Sequence, residues 1–85
     1  MDDNLSDFKV TDRQSFIKFL NLLHRDLIDN PDRWENDTLA RFLESMVAYT
    51  ADLQGYYNNT GQYIDADRAD WKTFADILKG AGIYE

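Results

Sequence analysis

Eighty-five residues carrying a net charge of −7 and no cysteine make a single small domain. That composition excludes disulfides and a thiolate zinc site, and it argues against nonspecific binding to nucleic acid or anionic membrane, where basic residues must replace counterions. A chain this short buries only roughly 60% of the surface it exposes when unfolded, so a partner-binding surface is easier to build from it than a deep catalytic cleft.

Residues 1–10 are polar with isolated Leu5, Phe8 and Val10, and read as a loose N-terminal segment ahead of a single helical domain over 11–85. The acidic start Met1-Asp2-Asp3-Asn4 is the opposite of a signal peptide's basic, then apolar, opening. With no apolar run near the roughly 18 residues of a membrane helix, the expected location is cytoplasmic, with no membrane association.

Thr11-Asp12-Arg13-Gln14 fits a capping box. Phe16, Leu20, Leu23 and Leu27, widened by Ile17, Phe19 and Ile28, then mark one apolar face of a helix over about 12–29. Asn30-Pro31 ends it, because the residue before proline is pushed out of the α region. Asn36 or Asp37 caps a second predicted helix over about 37–54, striped by Leu39, Phe42, Leu43, Met46, Val47, Thr50 and Leu53, with Gly55 as its stop. Residues 55–69 read as an irregular loop or a short hairpin, with turn formers at 58–61 between two aromatic runs. Asp70 caps a third helix over about 71–79 that Gly80 and Gly82 end, after which Ile83-Tyr84 folds back as an apolar tail. The expected fold is therefore mainly all-α: a small three-helix bundle with an irregular loop or short hairpin between the second and third helices.

Few residues suggest chemistry. His24 is the one side chain that titrates unperturbed near neutrality. Asp26 lies two residues away, however, and side chains at that spacing point apart on a helix, so His24 reads as a packing residue beside the apolar stripe. Asp65, Asp67 and Asp76 stand at the first, third and twelfth positions of a calcium loop, but Ala69 and Asp70 stand where an oxygen ligand and a glycine are needed. No nucleophile elbow, P-loop or dinucleotide fingerprint is present. The sequence thus points to no catalytic residue, cofactor or metal.

The aromatic set is more telling. Phe16, Phe19, Phe42, Phe74 and Trp71 are enough to fill so small a core. Trp34, Tyr49, Tyr56, Tyr57, Tyr63 and Tyr84 cannot all join them there, so some are expected to stay exposed or half-exposed, and tyrosine and tryptophan favour interfaces. Trp34, Tyr56, Tyr57, Asn58, Tyr63, Asp65 and Asp67 form the candidate interaction surface.

Three segments carry a family resemblance: Trp34-Glu35-Asn36-Asp37-Thr38-Leu39, Gly55-Tyr56-Tyr57-Asn58-Asn59, and Trp71-Lys72-Thr73-Phe74-Ala75-Asp76-Ile77-Leu78 with the ending Ile83-Tyr84-Glu85. Together, over roughly residues 15–85, they resemble a family of short bacterial proteins classed as a domain of unknown function. The resemblance implies a small stand-alone domain and supplies no site residues.

Three functions compete. The foremost is an acidic protein–protein interaction module, immunity- or inhibitor-like, whose partner is a protein with basic features; self-association is a variant of it. The second is a small-ligand binder or enzyme using His24 and nearby carboxylates. The third is a DNA mimic, which requires a continuous acidic face.

Overall fold

A computed structural model describes residues 8–83. Among them the chain forms four helices and no strand: α1 (Arg13–Asp29), α2 (Leu39–Ala51), α3 (Leu53–Asn59) and α4 (Trp71–Ile83), with a 3-10 turn at Pro31–Arg33. The all-α expectation holds, and the three long helices stand where the sequence puts them. Leu5 and Tyr84, read above as an N-terminal apolar residue and part of a returning tail, lie outside the described residues. Phe8 packs against the core and Val10 is buried in it.

The starts of the three long helices are each capped by a side chain. The Asp12 carboxylate accepts from the Ser15 backbone N–H at 2.8 Å while Ser15 Oγ accepts from the Asp12 N–H at 3.0 Å. The capping box thus sits one residue later than the Thr11–Gln14 reading. Aspartate is at least as good an N-cap as threonine, and the backbone hydrogen bond from Ser15 lowers its carboxyl pKa. Thr38, not Asn36 or Asp37, caps α2 through the Arg41 N–H at 3.2 Å. Asp70 caps α4 as expected, accepting from the Thr73 N–H at 2.9 Å.

The helix ends depart further from the sequence reading. Gly55 does not stop the second helix. The chain breaks at Asp52 for one residue and resumes as α3, with Gly55 inside it. The stop comes at Gly61, which has φ +70. There the Gln62 N–H donates to Tyr57 O at 2.9 Å and the Gly61 N–H donates to Asn58 O at 3.3 Å, the paired bonds of a Schellman motif that needs a left-handed residue. No hairpin follows. The Gln54 side chain holds the loop instead, donating to Ile64 O at 2.9 Å and accepting from the Ala66 N–H at 2.8 Å.

Gly80 and Gly82 do not end α4 either; both are buried inside it. A Cβ on Gly80 would fall within the ring of Tyr49, and one on Gly82 would lie 2.8 Å from Trp34 Cζ3. Glycine in a helix interior is destabilising relative to alanine. Here it is needed so that two aromatic rings can rest directly on the helix backbone.

Packing centres on α4, which contacts α1 on one side and α2 on the other, whereas α1 and α2 have no extensive packing on each other. Phe16 meets Trp71 near the starts of α1 and α4, with ring centroids 5.3 Å apart. Asn36, just before α2, meets Ala81 at the end of α4. α1 therefore runs with α4, and α2 runs back against it. Among the aromatics, Trp34 and Tyr57 are buried with Phe19, while Trp71 and Phe74, expected in the core, are partly exposed. Phe16 and Phe42 are half-buried against the core. The buried face of α1 is Phe19, Leu23 and Asp26, so the stripe is rotated away from Leu20.

Candidate interaction groove

The connector from Asn30 to Thr38 shapes the most distinctive surface. Asp26, buried near the end of α1, accepts from Trp34 Nε1 at 2.8 Å and from Asn30 Nδ2 at 3.3 Å. A buried carboxylate is tolerable only when it is hydrogen-bonded, and these two donors give each of its oxygens a partner. The same contacts lay the indole over Gly82. Two residues on, Asn36 clamps the end of α4, donating from Nδ2 to Ala81 O at 3.0 Å and from its backbone N–H to Gly82 O at 3.1 Å. Two carbonyls of the last helical turn, which otherwise lack partners, are thereby satisfied, and the start of α2 is fixed relative to α4.

This anchoring leaves α1 and α2 apart. Between them lies an apolar groove of about 380 Å³, walled by Leu20 and Leu27 on one side and Leu39 and Phe42 on the other, with Trp34 and Leu78 at its base. Beyond it α2 carries an apolar ridge: Leu39, Leu43 and Val47, spaced by four residues, are 72%, 49% and 73% exposed. The sequence reading placed all three in the core stripe. At 100° per residue, Tyr49, Phe42, Met46, Leu39, Leu43 and Val47 sweep an arc of roughly 160°, wider than the roughly 100° that one core-facing side occupies. That excess width was the legible signal. His24 is exposed at the groove edge and has no hydrogen-bond or ion-pair partner among the described residues.

The seven residues of the aromatic–acidic candidate surface do not assemble into one face. Trp34 is buried against Gly82. Tyr57 is fully buried and donates from its hydroxyl to Asp76 Oδ2 at 2.8 Å. The two contacts are separated along α4 by about 9 Å of helix rise. Tyr56 and Asn58 are exposed on α3, and Asn58 accepts from Gln54 at 3.2 Å. In the loop, Tyr63 is wholly exposed, and exposed Asp65 caps the Asp67 N–H at 2.9 Å. Among the described residues no three acidic or histidine side chains converge as a metal site.

Tyr57, Asp76 and Tyr49 form a polar seam inside the α2–α3–α4 contact. Asp76 Oδ2 also accepts from Lys72 Nζ at 2.7 Å, and that ammonium lies 5.3 Å from the Tyr57 ring centroid. Burial, then the neighbouring Tyr56 and Asp76, pushes the Tyr49 phenol up to about 12 from 10.0. Burial and the hydrogen bond to Asp76 push Tyr57 up as well. A phenol with a raised folded pKa contributes stability that is complete below the unfolded pKa and is lost as pH rises through the folded one. Stability should therefore hold up to about pH 10 and fall from there toward about pH 12, the range set by Tyr49. Phenolate absorbance after a jump to alkaline pH should show a slow phase at the unfolding rate, and Tyr49→Phe should shrink it. Rapid ionisation of every tyrosine while the fold persists would contradict this.

The fold and groove define a small all-α domain whose helices leave one apolar side uncovered. The chain belongs to the DUF7660 family, a family of unknown function that matches residues 12–85. No curated protein and no solved structure matches it.

Proposed function

We propose that the protein is an interaction module that seats an amphipathic, basic helix of a protein partner in the groove between α1 and α2. The observation that carries this reading is the exposed apolar ridge of α2 beside an apolar groove open between two helices. Exposed apolar surface gathered in this way marks interaction sites, and a groove between helices suits a helix presenting side chains at helical spacing. Charge supports a basic partner: 16 acidic against 9 basic residues overall, with exposed Glu35 and Asp37 just before α2 and exposed Glu44 within it, Asp37 lying 4.0 Å from Arg41. An inhibitor- or immunity-like role fits such a module, because blocking a basic surface needs acidic and apolar contacts and no catalysis.

A photo-crosslinking residue at position 39 in the native host should yield a discrete adduct with a protein whose linked segment is a basic amphipathic helix. The same probe at position 63 should not. Val47→Asp should abolish the adduct while changing stability by no more than about 0.5 kcal/mol, as for an ordinary surface site. Adducts formed only with another copy of the chain, or formed from position 63 and not from 39, would overturn the proposal.

A further inference from the structure

On another side of the molecule, between α4 and the segment leading into α1, lies a cavity of about 560 Å³. Its apolar floor is the buried trio Val10, Phe19 and Ala75, and Tyr56 stands at its side. The charge around it runs against that of the chain. Lys9, Lys72 and Lys79 line it, three of the four lysines in the sequence, whereas among the described residues Asp76 is the one acidic side chain that does. Lys72, Asp76 and Lys79 share one face of α4 by their spacing of four and three, and Lys9 comes from a separate segment. Lys72 is already engaged by Asp76 at 2.7 Å and by Gln62 Oε1 at 3.2 Å. Lys9 and Lys79 have no hydrogen-bond or ion-pair partner among the described residues.

We infer that this cavity is a binding site for a small molecule that joins an anionic group, phosphate or carboxylate, to a flat apolar body. Lys9 and Lys79 hold the anion, and the body lies on Ala75 and Phe19 beside the Tyr56 ring. The volume falls within the roughly 300–1,000 Å³ of small-molecule sites, which combine an apolar lining with a few placed polar groups. Like charges gathered around a low-dielectric hollow also concentrate the field at its mouth. Clustered cations in a strongly acidic chain repel one another, and a bound anion relieves that repulsion. The site is separate from the groove and does not depend on the interaction reading.

The test is an amide chemical-shift titration of the full chain with phenyl phosphate and with benzoate, the phosphate and carboxylate arms, and with inorganic phosphate and phenol as half-ligands. At least one whole ligand should give saturable shifts at Val10, Tyr56, Ala75 and Lys79, more tightly than either half. The variant Lys9→Gln/Lys79→Gln should weaken that binding on the order of tenfold or more, the effect of losing hydrogen bonds to a charged group. Lys18→Gln, outside the cavity, should leave it unchanged. Absence of saturable shifts with both whole ligands would overturn the assignment. So would equal binding by phenol, equal binding by inorganic phosphate, or undiminished binding by the double variant.

Discussion

Gly80→Ala is expected to destabilise the protein, although alanine is the better helix former. In an unobstructed helix interior the change should gain about 0.5–1 kcal/mol. Here the new methyl would occupy the space of the Tyr49 ring. Tyr49 cannot swing away freely, since its ring also packs against Tyr56, with centroids 6.0 Å apart. Overpacking of this kind costs about 1–3 kcal/mol, and for a domain of this size each kcal/mol lowers the melting temperature by roughly 4–8 °C. Gly82→Ala should behave alike, because Trp34 is held in place by its hydrogen bond to Asp26. The decisive measurement is a double-mutant cycle. In a Tyr49→Ala background, Gly80→Ala should become neutral or stabilising. A stabilising Gly80→Ala in the wild-type background would mean that the ring does not lie on the helix.

Tyr57→Ala is expected to be the most damaging single truncation. Tyr57 is 0% exposed, and it heads the largest fully buried side chains ahead of Phe19 and Leu53. Emptying an aromatic core position costs about 3–5 kcal/mol. A domain of this length has only about 4–13 kcal/mol in total, at roughly 0.05–0.15 kcal/mol per residue, so the variant should lose a large share of its stability and melt far below the wild type. Tyr57→Phe separates packing from hydrogen bonding. It keeps the ring and removes only the donor to the Asp76 carboxylate, which retains Lys72 at 2.7 Å, so its cost should be smaller, about 1.5–3 kcal/mol for a hydrogen bond to a charged group. Chemical denaturation of both variants checks the ratio. Similar losses for the two would place the importance of Tyr57 in its hydroxyl rather than in its volume.

These expectations bear on how the family resemblance is built. The tryptophan-glutamate-asparagine segment is an anchor: Trp34 covers Gly82, and Asn36 ties off the end of α4. The Gly55-Tyr56-Tyr57 segment supplies the central core tyrosine and a neighbour that borders the lysine-lined cavity. The segment from Trp71 supplies the helix on which both others rest. In this chain the three segments together build a scaffold.

The local chemistry of the chain was sufficient to determine the helical class, the positions of the three long helices and the Asp70 cap. Those follow from apolar periodicity, capping residues and Pro31, each of which acts within a few residues along the chain. What covers what was settled only in three dimensions. Whether Gly80 and Gly82 stop a helix or admit a ring depends on Tyr49 and Trp34, more than thirty residues earlier in sequence. Whether Leu39, Leu43 and Val47 are core or ridge depends on how far α1 stands from α2. That distance is set by the Asp26–Trp34 and Asn36–Ala81 hydrogen bonds. Periodicity identifies which side of a helix is apolar, and only the packing of its neighbours determines how much of that side is left for a partner.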